Sequence, residues 1–86
     1  MSPAPKQALT IIVNGVPIDV ERNENAPLKS AIGTALAQSG NVGQPIENWE
    51  LRDASGNLLD TSKKIGEFGF DDTVKLFLSL KAGIGG

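Results

Sequence analysis

Apolar and polar residues alternate with period two on both sides of Asn14 and Gly15, which predicts a β-hairpin over residues 8–21. A type I′ turn needs a positive φ at both central residues, and Asn-Gly is a preferred pair there. With this turn, three facing pairs lie on one side of the sheet: Val13 with Val16, Ile11 with Ile18, and Leu9 with Val20. Pro17 cannot donate a backbone hydrogen bond, so the second strand is expected at a sheet edge.

Residues 26–39 repeat apolar positions every three or four residues, which predicts an amphipathic helix. Its cap is expected one or two residues before Pro27, with the proline in the first turn. Gly40 follows as the C-terminal stop. Gly33 inside the helix is unfavourable by roughly 1 kcal/mol relative to alanine, and it suggests close packing against the sheet.

The second half of the chain predicts two more strands and a connection between them. Residues 48–53 alternate, with Trp49 and Leu51 expected to face inward. In residues 73–81 inward apolar residues, mostly leucines, alternate with residues that are expected to face outward: Lys75, Phe77, Ser79 and Lys81. Between them we expect a very short strand at Leu58 and Leu59 and one helical turn over residues 63–66. Phe68 and Phe70 anchor this connection to the core.

The order of strands around one helix predicts an α+β fold, with the helix packed across one face of a mixed sheet of four to five strands. The first and last strands are expected at its centre. The 86 residues allow one domain. Residues 1–7 are predicted as a disordered arm, residues 8–81 as the domain and residues 82–86 as a flexible tail.

Composition narrows the classes of function. The chain has neither cysteine nor histidine, which excludes disulfides, zinc ribbons and a cysteine nucleophile and removes the usual general base. Eight basic and ten acidic residues give a net charge of −2 without a basic stripe, so nucleic acid is not expected as a partner. No apolar run spans a bilayer and no signal peptide pattern opens the chain. A cytoplasmic monomer without membrane contact, enzymatic activity or bound cofactor is the expectation.

Three segments in this order resemble ubiquitin and its relatives, the β-grasp family. Residues 73–81 resemble ubiquitin's last strand, with leucines alternating with other residues ahead of a Gly-Gly end; residues 55–60 resemble one of its turns, and residues 11–13 its first strand. The resemblance covers residues 8–86. It implies a protein modifier that an activating enzyme adenylates with ATP, a conjugating enzyme transfers to target proteins, and a deconjugating protease removes.

The departures from ubiquitin concern its chain-building and receptor-binding positions. Asn57 and Phe70 stand where the resemblance places linkage lysines, so chains of those types are not expected. Arg52 lies near a key apolar contact of ubiquitin's sheet face, where Phe77 and Ile12 restore apolar area. The predicted partner surface therefore comprises Ile12, Arg52, Lys75, Phe77 and Ser79. The alternative is that Phe77 makes ordinary cross-strand packing with Ile12 or Arg52.

The tail Ala-Gly-Ile-Gly-Gly carries the chemistry that the resemblance implies. The Gly86 carboxylate is a poor electrophile, so it needs adenylation before a partner's cysteine takes the acyl group. Gly83 and Gly85 lack a Cβ and let the tail thread a narrow channel, with Ile84 as its side-chain anchor. Because the tail lacks ubiquitin's arginines, dedicated enzymes are expected, as in bacterial operons of this kind, some of which are tied to phage defence.

Two other functions fit the same residues. A sulfur carrier for thiamine or molybdopterin biosynthesis shares the fold and the Gly-Gly end, and its terminal carboxylate becomes a thiocarboxylate. A non-covalent ubiquitin-like interaction module leaves the tail idle, as a frayed end of the domain. The sequence barely separates the carrier from the modifier, and the likeness to ubiquitin's last strand and the predicted disordered arm favour the modifier.

Overall fold

The fold is a four-stranded mixed sheet with one helix across one face, in a computed structural model that describes residues 8–41, 43, 45–71 and 73–81. In chain order the elements are β1 (Ala8–Val13), β2 (Val16–Glu21), α1 (Leu28–Ser39), a 3₁₀ turn (Ile46–Asn48), β3 (Trp49–Arg52), a second 3₁₀ turn (Ile65–Phe68) and β4 (Lys75–Leu80). The sheet order is β2-β1-β4-β3. This is the predicted α+β fold, and the predicted arm (1–7) and tail (82–86) lie outside the described residues.

The N-terminal hairpin has the register that its turn predicts. Val13 pairs with Val16, Ile11 with Ile18, and Leu9 with Val20. Asn14 and Gly15 adopt φ values of 52° and 83°, the positive angles that a type I′ turn requires. β2 lies at an edge of the sheet, as Pro17 demands, and β1 and β4 form the central, parallel pair.

Helix α1 begins later than its sequence predicts. Pro27 is its N-cap in an extended conformation, whereas a cap before Pro27 was expected. The reason is tertiary: Pro27 forms a bridge with Lys64, and the N–H groups of Leu28 and Lys29 donate to carbonyls of the 61–63 segment. These contacts satisfy donors that the first helical turn leaves open. The helix ends as predicted at Gly40, whose φ is 80°.

Helix and sheet bury one apolar core. The largest fully buried side chains come from β1, α1, β3, β4 and the second 3₁₀ turn: Leu9, Ile11, Val13, Leu28, Ile32, Leu51, Ile65 and Leu76. Each contributes about 1.5–3 kcal/mol to the free energy of unfolding through its burial. Phe68 and Phe70 pack against this core from the connection, as expected. In the described part of the chain, no helix is long and apolar enough to cross a membrane.

The connection before β4 differs from the prediction in two places. Leu58 forms only an isolated bridge with Arg52 and is 59% exposed, so the expected short strand at Leu58 and Leu59 is not formed. The helical turn begins at Ile65, two residues later than predicted, because the Ile65 side chain is buried and its N–H donates to the Ala26 carbonyl at 2.9 Å.

Gly33 is expected to pack against the sheet, but in the structure it packs against a loop residue. A Cβ built at Gly33 would lie 3.3 Å from Cδ1 of Ile46, in the 3₁₀ turn that precedes β3. The glycine therefore makes room for the loop that leads into β3. This contact brings Ile46 over the helix and shapes a groove described below.

Candidate functional site

The sheet face opposite α1 brings the five predicted surface residues together. Phe77 of β4 pairs with Ile12 of β1 on one side and with Arg52 of β3 on the other. Lys75 and Ser79 lie two residues before and after Phe77 on the same strand, so they point to the same side of the sheet. This set, Ile12, Arg52, Lys75, Phe77 and Ser79, is called the Phe77 face.

The Phe77 face has an apolar centre and a polar rim. Phe77 is 41% exposed and Ile12 is half-buried. The row continues to Pro17, which pairs with Ile12 on the edge strand. Packing against Ile12 and Arg52 thus leaves much of the aromatic ring accessible, and an exposed apolar patch with a polar rim is typical of interaction sites.

Arg52 is held at the border of this face. Its Nη1 donates to the Gly56 carbonyl at 2.9 Å, and its Nη2 lies 3.3 Å from a carboxylate oxygen of Glu50. Glu50 itself pairs with Ser79 across the strands. The guanidinium is therefore oriented by β3 and the turn that follows, and it supplies a fixed donor group beside Phe77.

The turn after β3 is organised by Asp53. One of its carboxylate oxygens accepts the N–H groups of Ser55 and Asn57, each at 2.9 Å, and the other accepts the Asn57 side-chain amide at 3.2 Å. The hydrogen bonds from Asn57 lower the pKa of Asp53 below its usual value. Asn57, which stands where the resemblance to ubiquitin placed a lysine, is thus a structural residue of the turn.

Phe70, the other departure from a linkage lysine, is structural as well. Its ring stacks on Phe68 with the centroids 5.0 Å apart and the planes parallel. The Arg22 guanidinium lies over the Phe70 ring, 6.0 Å from its centroid, and donates to the Phe70 carbonyl. Phe68 and Phe70 thus pack against the core in the segment that precedes β4.

A groove on the helix side of the sheet was not predicted from the sequence. It has a volume of about 460 Å³ and lies between the start of α1 and the start of β3. It is called the Trp49 groove, and it is lined by Lys29, Ile32, Ile46, Glu47, Trp49, Thr61 and Lys81. These positions are far apart in sequence; Gly33 inside a helix and an isolated Ile46 in a loop are the signals that could have indicated it. Lys81, expected on the outward side with Phe77, lines this groove instead because it lies past the end of β4.

Trp49 contributes a buried polar atom to this region. Its side chain is 6% exposed, and its indole N–H has no hydrogen-bond acceptor among the residues that the structure describes. A buried donor without a partner costs roughly 1–3 kcal/mol. Groups of three or more acidic residues that could hold a metal ion are absent from the described ranges.

The predicted conjugation residues follow the end of β4. The Lys81 N–H donates to the Asn48 carbonyl at 2.8 Å, which fixes the last described residue against the start of β3. Gly86 and the predicted recognition residues Gly83, Ile84 and Gly85 lie outside the described residues.

An N-terminal hairpin, a crossing helix and a last strand inserted in parallel beside the first define a ubiquitin-like β-grasp domain. Solved structures with this architecture include a ubiquitin and a ubiquitin-like domain. The ubiquitin of Caldiarchaeum subterraneum matches with a TM-score of 0.70 and 19% identity, over 93% of this chain and 99% of that one. The C-terminal ubiquitin-like domain of human 2′-5′-oligoadenylate synthetase-like protein matches with a TM-score of 0.73 and 22% identity, over 99% and 94%. At such identities the likeness establishes the fold.

The chain belongs to the family described as Protein of Unknown function (DUF2604), whose model matches residues 3–86. A similar protein is the uncharacterized protein y4jI of Sinorhizobium fredii, which is 53% identical over 81 residues. The aligned region covers 94% of this chain and 62% of that relative, so the chain spans less than two thirds of the relative's length.

Proposed function

We propose that this ubiquitin-like domain is a protein modifier that is joined to its targets through the Gly86 carboxylate. The observation that carries the proposal is the fixed position of Lys81, the residue that precedes the glycine-rich tail in the sequence. Lys81 follows β4, a central strand paired on both sides, and its N–H donates to the Asn48 carbonyl. A partner that binds the sheet thus lies at a defined position relative to Lys81.

The chemistry takes place on the tail carboxylate, and partner enzymes supply the other reactive groups. The Gly86 carboxylate attacks the α-phosphorus of ATP, which forms an acyl adenylate and releases pyrophosphate. A cysteine thiolate of the activating enzyme then attacks the acyl carbon, and AMP leaves. The thioester passes to a conjugating enzyme's cysteine, and a target lysine amine displaces that thiolate to form an isopeptide bond. A deconjugating protease reverses the last step by hydrolysis.

The Phe77 face is the surface that we assign to the enzymes of this pathway. It lies on β4 and its two neighbours, so it belongs to the same rigid sheet from which the tail departs. Its exposed aromatic centre provides apolar contact area, and Arg52 and Lys75 provide direction through their charges. The absence of arginine from the tail supports dedicated enzymes that read this face together with Gly83, Ile84 and Gly85.

The deciding experiment combines the chain with ATP and its cognate activating enzyme, followed by intact mass measurement and denaturing gels. Full-length chain should form a thioester that thiols cleave and, with the conjugating enzyme, adducts that thiols do not cleave. Deletion of Gly85 and Gly86 should abolish both products. Adducts that persist after this deletion would overturn the proposal. An oxygen-to-sulfur exchange in protein purified from its host would instead support the sulfur carrier.

A non-covalent interaction module is the second candidate. It is favoured by the likeness to the human 2′-5′-oligoadenylate synthetase-like protein, in which the ubiquitin-like domain is a C-terminal domain. In that case the Phe77 face would bind its partner equally well with and without the tail. Comparing the affinities of the full chain and of the chain truncated after Lys81 for the same partner distinguishes the two functions.

A further inference from the structure

The Trp49 groove lies on the helix side of the sheet, opposite the Phe77 face, and its rim residue Lys81 precedes the tail in the sequence. Trp49 points to the core side of β3, whereas Glu50 and Arg52 point to the Phe77 face, because side chains alternate along a strand. The volume of about 460 Å³ falls within the range of roughly 300–1,000 Å³ that is typical of ligand pockets. It is large enough for one large side chain and the backbone that carries it.

The wall of the groove is apolar. Ile46 is 39% exposed although it is a large aliphatic residue, and its Cδ1 occupies the space beside Gly33 on the helix. Trp49 lies next to it as the first residue of β3. An exposed isoleucine beside a tryptophan in a concave surface favours an apolar side chain as part of the ligand.

The rim of the groove carries more positive than negative side chains. Lys29 and Lys81 both line it, and the ion pairs found in the described part of the chain, Arg22 with Glu24 and Arg52 with Glu50, involve neither lysine. Glu47 is the one carboxylate that lines the groove. Two ammonium groups against one carboxylate give this site a positive balance on a protein whose net charge is −2.

The Trp49 side chain also provides a probe in the wall of the groove. Its indole N–H is buried and lacks an acceptor among the described residues. Because this nitrogen is buried, it reports on occupation of the groove and is assigned no contact with the ligand. From the apolar wall and the positive rim, we propose that the Trp49 groove binds a protein segment in which one large apolar side chain is flanked by aspartate or glutamate. Lys29 and Lys81 pair with the flanking carboxylates, and Ile46 and Trp49 contact the apolar side chain.

The test is a titration of the ¹⁵N-labelled full chain with the blocked peptide Asp-Asp-Phe-Asp-Asp. Trp49 is the only tryptophan, so its indole N–H gives a single, assignable signal. We expect a saturable shift of this signal, with the Phe77 amide unchanged, and an affinity that weakens as salt is added. The peptides Lys-Lys-Phe-Lys-Lys and Asp-Asp-Ser-Asp-Asp should give no saturable shift.

Exposed substitutions make the result specific to the groove. Lys29→Glu together with Lys81→Glu should weaken binding by about tenfold or more, because each reverses a charge that faces the peptide. Ile46→Ser should weaken it through lost apolar contact. Lys75→Glu is the matched control, since it changes an exposed lysine on the opposite face, and it should leave the affinity within about twofold.

The proposal would be overturned by no saturable shift at millimolar peptide, by equal shifts with the basic peptide, or by equal losses from Lys75→Glu and the groove substitutions. Shifts centred on Phe77 would assign the peptide to the other face and would also overturn the proposal. The titration uses neither ATP nor an activating enzyme, so its failure does not contradict the proposal for the Gly86 carboxylate. A failed conjugation assay likewise does not contradict peptide binding in the Trp49 groove.

Discussion

The Arg22 guanidinium lies over the Phe70 ring, 6.0 Å from its centroid, and donates a hydrogen bond to the carbonyl of the same residue. A second nitrogen donates to the Asp71 carbonyl at 3.1 Å, and Nε pairs with Glu24 at 3.1 Å. The Arg22 side chain is only 6% exposed. One side chain thus joins the end of the hairpin to the segment that leads into β4.

Arg22→Ala should lower the free energy of unfolding by about 2–3 kcal/mol, because it leaves two carbonyls without a charged donor. Arg22→Lys should recover only part of this loss, since an ammonium group lacks the planar fork that reaches two carbonyls at once. Urea denaturation measures both. The control is Arg52→Ala, which removes a side chain that is 43% exposed and should cost less than about 1 kcal/mol. Equal losses at the two arginines would contradict the structural role of Arg22.

Phe77 should separate binding from stability. Its side chain is 41% exposed, so Phe77→Ala should change the free energy of unfolding by about 1 kcal/mol or less. If the Phe77 face binds the activating enzyme, the same variant should raise the KM for the chain in thioester formation and leave kcat nearly unchanged. The neighbouring Leu76→Ala should instead cost about 2–5 kcal/mol, because Leu76 is fully buried. An unchanged KM for Phe77→Ala would remove this face from the proposed pathway.

Two glycines should respond in opposite directions to alanine. At Gly33 the new methyl group meets only Cδ1 of Ile46 at 3.3 Å, and this half-exposed side chain can turn away. Gly33→Ala should therefore raise the free energy of unfolding by about 0.5–1 kcal/mol through the gain in helix propensity. At Gly66 the methyl group meets the Glu24 backbone oxygen at 3.1 Å, which Gly66 itself holds by a hydrogen bond. Gly66→Ala should be destabilising by about 1–3 kcal/mol. Thermal unfolding of both variants measures the two changes in the free energy of unfolding. Changes of the same sign would contradict the packing described at Gly33 and Gly66.

The local rules of the chain were sufficient for its hairpin and strands. Asn14 and Gly15 set a two-residue turn, and this turn fixes every pair from Val13 and Val16 outward, so the register followed without knowledge of the rest. The same holds for the Phe77 face: alternation along β4 places Phe77 outward, and the β-grasp order sets Ile12 and Arg52 beside it. Both predictions depend on period two and on strand order alone.

The features that the sequence did not predict depend on contacts between distant segments. The start of α1 is set by carbonyls of the 61–63 segment and by the Pro27 bridge to Lys64, which override the local preference for a cap before the proline. The Trp49 groove likewise arises where Lys29, Ile46 and Lys81 meet, and no periodicity in a single element connects these positions. Gly33 marked a close approach correctly, but its partner was the loop and not the sheet.

Acid should weaken the turn after β3 through Asp53. The hydrogen bonds from Asn57 hold the pKa of the Asp53 carboxyl below 3.8, the value that it has in an unfolded chain. A folded pKa below the unfolded one means that the stabilisation is complete above 3.8 and is lost as the pH falls through the folded value. Asp53→Asn should therefore lower the melting temperature at neutral pH, and its difference from the unmodified chain should shrink in strong acid. Glu47→Gln is the control, because no hydrogen bond or ion pair of Glu47 is found among the described residues. A difference that stays constant with pH would contradict the assignment.

Conjugation through Gly86 should leave a distinctive mark on target proteins. Trypsin cleaves after lysine, and Lys81 is the last lysine or arginine before the tail. Digestion of a conjugate should therefore leave the whole tail, Ala-Gly-Ile-Gly-Gly, as a branch on the acceptor lysine, and that lysine should resist cleavage because its amine is acylated.

Tagged chain should be expressed in its native host, purified under denaturing conditions and digested, and the peptides should be searched for this branch by mass spectrometry. A tagged chain that lacks Gly85 and Gly86 is the matched control. Branched peptides that appear only with the intact tail would support the modifier. Intact protein without such peptides, but with sulfur in place of one carboxylate oxygen, would instead assign the tail to sulfur transfer.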